Sequence, residues 1–135
     1  MNDDIIKITP DKNKAKSILK MVEVREKRIQ ETKSDQFSSL LVEDFYEIIK
    51  ELATAVINLN GYKTLSHKIL FEKLIEDKIF SQNEIEIIED LRRKRNKIVY
   101  DGFFVKEHYL IDREKIINSI SDRLKKIVRE KILNL

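Results

Sequence analysis

Two glycines and one proline in 135 residues leave this chain few ways of turning sharply. Antiparallel sheets need a tight turn after each strand, and glycine, proline and asparagine supply the backbone angles for it. Long helices need almost none. The scarcity therefore points to a few long helices joined by short connections. Plentiful Lys, Glu and Leu agree with this, because their side chains lose little freedom in a helix. The abundant Ile is only neutral there.

Apolar spacing of three and four residues outlines the helices. Thr9 as N-cap with Pro10 at the first helical position starts a helix running to about Thr32, with Ala15, Ile18, Leu19, Val22 and Ile29 as its stripe. Before it, residues 2–8 hold Ile5, Ile6 and Ile8 in a stretch that is extended or too short to define. Ser34 or Asp35 caps a second helix to about Asn60. Its stripe of Phe37, Leu40, Leu41, Phe45, Ile48, Leu52, Val56 and Leu59 is wide enough for a central position, and Gly61 ends it. A third helix begins at Thr64 or Ser66, with Leu65, Ile69, Leu70, Leu74 and Ile75 on one face, and ends near Ile79 and Phe80. Ser81 and Glu84 form a capping box for a fourth, which reaches about Tyr100 and stops before Gly102. An irregular stretch from Phe103 to Ile111 must fold back onto the bundle. Asp112 caps the last helix, with Ile116, Ile117, Ile120, Leu124, Ile127 and Val128 inward.

The expected architecture is all-α, an up-and-down antiparallel bundle of about five helices. It forms one domain over residues 1–135: an N-terminal segment and first helix over 1–33, and a bundle core over 34–135 around helix 82–100.

Composition removes several classes of function. Without cysteine there is no disulfide, thiol nucleophile or cysteine-bound zinc, which suits a reducing cytoplasm, the expected location. The apolar runs are too short to span a bilayer and the acidic start is no signal peptide, so no membrane role is expected. No glycine-rich loop is available to cradle a dinucleotide. His67 and His108 are isolated, and the acidic pairs Glu43/Asp44, Glu76/Asp77 and Glu89/Asp90 lack flanking ligands. No metal and no cofactor are expected. The net charge of +3 is too small to announce nucleic-acid binding unaided.

One residue breaks the pattern. The inward seam of the fourth helix runs Glu84, Ile88, Leu91, Arg95, Ile98, Gly102, and Arg95 stands where an apolar side chain belongs. A buried, unpaired guanidinium is costly. Arg95 must therefore be paired, line a wet cavity, face a partner, or carry its head group to the surface along a packed stem. Asn96 adjoins it, and Tyr100 lies one turn beyond Asn96, so the three make one polar cluster. Arg92, Arg93, Lys94 and Lys97 flank it. They can grip RNA phosphates, or they complement the helix dipole opposite Glu84, Glu86, Glu89 and Asp90. Arg123, Lys125, Lys126, Arg129 and Lys131 read as the solvated face of the last helix.

The segment from Leu91 through Arg95, Asn96 and Tyr100 to Gly102 resembles the signature helix of HEPN domains. There an Arg is followed by a polar residue, often Asn, then by three residues and a His. Val42 to Tyr46, leading into Gly61 to His67, is similar to the preceding helices, and the likeness covers roughly residues 35–130. The resemblance implies a helical bundle that dimerises with its signature helices facing one another. In its ribonuclease members the Arg stabilises the scissile phosphate, the polar neighbour positions it, and the His serves in cleavage by the adjacent ribose hydroxyl. Arg95 and Asn96 match the first two positions, while Tyr100 replaces the His. A phenol titrates near ~10 and is a poor base at neutral pH. The expectation is a homodimeric domain that binds RNA or a nucleotide at Arg95 and Asn96, aided by Arg92, Arg93, Lys97 and His67, with little catalysis. A nucleotidyltransferase is the partner implied. The alternatives are a metal-independent ribonuclease of toxin–antitoxin type and a helical dimerisation module without a ligand.

Overall fold

The computed structural model describes residues 4–106 and 108–135. Five helices of ten residues or more form the bundle among these: α1 (Lys12–Glu31), α2 (Ser38–Leu59), α3 (His67–Glu76), α4 (Gln82–Asp101) and α6 (Glu114–Leu133), with a single turn α5 (His108–Ile111) before the last. The all-α bundle is as expected. Two short strands, β1 (Ile6–Lys7) and β2 (Tyr62–Lys63), pair antiparallel at one end.

The strands explain where α1 starts. Ile6 faces Lys63 and Lys7 faces Tyr62, and Ile8 N–H donates to the Gly61 carbonyl at 2.8 Å. This pairing holds the chain extended past Thr9 and Pro10, so the cap falls on Asp11 rather than Thr9. The Asp11 carboxylate accepts from Lys14 N–H at 3.0 Å, and Asp11 N–H donates to the buried Asn58 side chain at 2.8 Å. Of the expected extended stretch over 2–8, residues 2 and 3 lie outside the described residues.

The second helix is the centre of the molecule. Val42, Tyr46, Ile49, Leu52, Ala53 and Val56 are fully buried, and α2 packs against α1, α3, α4 and α6. A short 3-10 turn over Asp35–Phe37 precedes it, and Leu40, expected in the stripe, is exposed. Ion pairs show how the long helices run. Arg25 and Arg28 of α1 meet Asp44 and Glu51 of α2, and Arg95 of α4 meets Glu47 of α2. Lys125 of α6 meets Glu26 of α1 at 2.7 Å, and Arg123 meets Glu84 of α4 at 2.6 Å. Arg25 lies against Glu51 and the later Arg28 against the earlier Asp44, so α1 and α2 run antiparallel. Arg123 and Lys125 thus fasten helices together instead of facing solvent as expected.

Local signals hold at the other ends. Ser66 caps α3 through Ile69 N–H at 3.2 Å, although Leu65 precedes the helix and is 97% exposed. The third helix stops at Glu76, short of Ile79 and Phe80, and Lys78 beyond it adopts a left-handed backbone with φ +58°. The Ser81 and Glu84 capping box forms both its bonds, at 3.2 and 2.9 Å. Gly102, at φ +65°, ends α4. In the following stretch α5 buries Tyr109 and Leu110, and Val105 N–H donates to Ser39 Oγ at 3.0 Å. Asp112 closes the α5 turn by donating its N–H to the His108 carbonyl, so α6 begins after Arg113 without a side-chain cap. No helix among the described residues is long and apolar enough to cross a membrane.

Candidate functional site

Three helices contribute. The site gathers Tyr46, Glu47 and Lys50 from α2, His67 at the first position of α3, and Arg92, Arg95 and Asn96 from the second half of α4. Tyr46 is wholly buried, and its hydroxyl lies 2.9 Å from His67 Nδ1. The Ser66 cap fixes where α3 starts and so where His67 stands. Burial pushes the Tyr46 phenol up to about 12. Burial first, then the charges of Lys50 and Arg95, push the His67 imidazole below its ordinary value. Both groups are therefore neutral near pH 7. A buried phenol needs an acceptor, and the only described one for Tyr46 is Nδ1. Tyr46 thus donates to His67, and the imidazole proton sits on Nε2.

The Arg95 side chain is largely buried, 18% exposed. The guanidinium lies 5.5 Å from the centre of the Tyr46 ring, a cation–π contact. Its Nη1 donates to Asn96 Oδ1 at 3.2 Å, and Nη2 stands 3.6 Å from Glu47 Oε1, too far for a hydrogen bond. Its Nε is buried without a hydrogen-bond partner among the described residues. A guanidinium has five N–H donors. This one is tied to a carboxylate of its own chain, but loosely, and is left under-bonded.

Charge at the site is one-sided. Glu47 is also held by Lys50 at 2.6 Å, so a single carboxylate serves both Lys50 and Arg95. Arg92 forms no ion pair among the described residues, yet its charge reaches both Tyr46 and His67. Beside the cluster, between α3 and α4, runs a groove of about 280 Å³. Phe71, Ile75, Ile85 and Ile88 form its apolar wall, Glu72 and Glu89 stand along it, and Arg92, Arg93 and Asn96 close the basic end. A groove just below the usual size of ligand sites, with an apolar wall and the Arg92 and Arg93 guanidiniums at it, suits a small, flat apolar group bearing an anion.

The residues singled out in the sequence divide into two sets. His67, Arg92, Arg95 and Asn96 come together. Arg93 sits at the groove and pairs with Asp90 at 3.7 Å. Lys97 is exposed, with its ammonium 5.6 Å from the Phe103 ring. Tyr100 is 74% exposed and has no hydrogen bond or ring contact among the described residues, so it does not join Arg95 and Asn96. Five residues along a helix turn a side chain about 140° away from the starting one. Tyr46, Glu47 and Lys50 were not singled out as site residues. Their signal was a phenol among the buried positions of α2, which needs a polar partner. No protein-family model, curated protein or solved structure matches the chain.

Proposed function

We propose that this chain is a HEPN-type helical domain that binds RNA or a nucleotide through Arg95 and Asn96 and cleaves it poorly or not at all. The observation that carries the reading is the Arg95 guanidinium, bonded to Asn96 and only loosely paired with Glu47, behind the end of the groove that Arg92 and Asn96 line. A phosphate there would take the free Arg92 guanidinium as a doubly bonded arginine–phosphate pair, with the Arg95 charge behind it. The base or another flat group would lie on Phe71 and Ile88.

The arrangement suits binding better than cleavage. Tyr100 stands at the position of the family's His, exposed and without contact with Arg95. His67 lies closer, but with Nδ1 occupied and Nε2 protonated it offers a hydrogen bond and not a base. A homodimer would set two such basic clusters across one cleft. An adjacent nucleotidyltransferase follows from the same resemblance, and a cytoplasmic setting suits the lack of cysteine. The ribonuclease reading is disfavoured at His67, because burial and the Lys50 and Arg95 charges oppose the imidazolium that a general acid requires.

The test is titration of the wild type and Arg95→Ala with a labelled single-stranded oligonucleotide and with ATP. Arg95→Lys serves as a second variant, and circular dichroism checks folding. Loss of charged hydrogen bonds worth about 1.5–3 kcal/mol should weaken binding roughly tenfold to hundredfold. Equal affinities would sink the site. Metal-free cleavage leaving cyclic phosphate ends, and lost in Arg95→Ala, would establish the ribonuclease instead. No binding of either ligand would leave the dimerisation module.

A further inference from the structure

The third helix is the least anchored of the long helices. Its one extended contact is with α2, because the groove lies between it and α4. It is also the shortest of them, at ten residues. Leu70, Phe71 and Leu74 bury its apolar face. Its first turn has less to hold it. His67 and Ile69 are half-buried there, and Lys68 is exposed. Among the described residues, one side-chain hydrogen bond ties this turn to another helix. It runs from the Tyr46 hydroxyl of α2 to His67 Nδ1, at 2.9 Å.

That bond requires a neutral imidazole. Nδ1 accepts a proton only while it carries none of its own. In imidazolium both nitrogens are donors, so the buried Tyr46 hydroxyl loses its acceptor, and no other described group offers one. A buried donor without a partner is costly. The added charge also meets the wrong neighbours. From α2 the ring feels Lys50 and Glu47, and from α4 Arg92 and Arg95. Three cations thus stand against one carboxylate, which Lys50 and Arg95 already share. On its own helix the next residue is Lys68. The first turn of a helix is itself unfavourable for positive charge. The closed arrangement opposes the proton by geometry and by charge, whereas water outside would hydrate it freely.

We infer that the first turn of α3 is a proton-sensitive latch: when His67 takes up a proton, its bond with Tyr46 breaks and the turn is released from α2. The rest of the helix stays, because Leu70 and Leu74 remain buried and the Phe71 ring lies 6.2 Å from that of Tyr46. Lys68 in the released turn and Phe71 just after it line the groove. Its α3 wall therefore loosens as pH falls, and tightens again as pH rises. A released histidine titrates near about 6.5. If the closed form takes up almost no proton, acidification from about pH 7.5 to about pH 5.5 favours release by about tenfold, the ceiling for one group. The latch is independent of what the groove binds.

Amide hydrogen exchange in the full chain, read residue by residue by NMR, tests the latch. The N–H groups of Ile69 and Leu70 report on the turn, because they donate to the Ser66 side chain and carbonyl at 3.2 and 3.0 Å. Leu124, fully buried in α6, reports on unfolding of the whole molecule. Release of one turn exposes little surface, so exchange at Ile69 and Leu70 should respond weakly to low urea, and that of Leu124 strongly. Corrected for the intrinsic effect of pH, protection at Ile69 and Leu70 should fall by up to about tenfold between about pH 7.5 and about pH 5.5. His67→Gln cannot take up the proton and should abolish that fall. Tyr46→Phe removes the donor and should lower protection there by about fivefold already at about pH 7.5. An equal fall in His67→Gln, or no fall in the wild type, would overturn the latch. So would a urea dependence at Ile69 and Leu70 that matches that of Leu124. No ligand enters these measurements, so failure of the latch and failure of the Arg95 site are read separately.

Discussion

The contact between Tyr46 and His67 settles the protonation of both partners. The phenol, buried and pushed to about 12, keeps its proton and gives its hydrogen bond to Nδ1. The imidazole, half-buried beside Lys50, Arg92 and Arg95 with only Glu47 opposing them, titrates below its ordinary 6.5. The folded protein therefore binds this proton less readily than the unfolded chain. The resulting stability is fully present above about pH 6.5 and is lost as pH falls through the folded value. The urea midpoint should drop between about pH 7.5 and about pH 5.5, and His67→Gln should reduce that drop. Equal drops in the two proteins would show that His67 is not held neutral. The Glu84 carboxyl, held down chiefly by its bond with Arg123, also loses stability in acid, but only below its ordinary 4.5, outside this window. Tyr46→Phe leaves Nδ1 without its donor and should cost about 1 kcal/mol in the same unfolding measurement.

At the scale of elements, the two glycines differ in what they do. Gly102 ends α4 with φ +65°, and an added Cβ would meet nothing within 4 Å. Gly102→Ala should therefore carry only the backbone cost, about 1–2 kcal/mol. Gly61 ends α2 with φ +91°, and its Cβ would stand 3.3 Å from the Ile8 carbonyl oxygen, against the strand that pairs there. Gly61→Ala should cost more than Gly102→Ala in denaturant unfolding, and equal costs would count against a close approach at that end. These ends also show which signals a sequence carries. The capping box of Ser81 and Glu84 was legible because both its bonds close within four residues. The start of α1 was misplaced because pairing with β2, more than fifty residues away, holds Thr9 and Pro10 out of the helix. Asp112 was misplaced because α5 claims its backbone first.

The whole molecule is organised around α2, which touches every other long helix. Leu52 is fully buried in that helix. Leu52→Ala should cost about 2–5 kcal/mol, with a single cooperative transition at lower denaturant. Loss of only one helix in circular dichroism would show that the bundle is not one cooperative unit. The sequence by itself determined the fold class, because three- and four-residue spacing and the lack of turn residues depend on nothing beyond each segment. It also marked Arg95 as out of place in an apolar seam. Only the tertiary structure decided what Arg95 meets, since Tyr46, Glu47 and His67 come from helices whose relative rotation no single period encodes. The same rotation left Tyr100 outside the cluster, on the surface. A helix period says which side chains share a face. Packing against the neighbouring helices decides whether that face is covered, and by which groups.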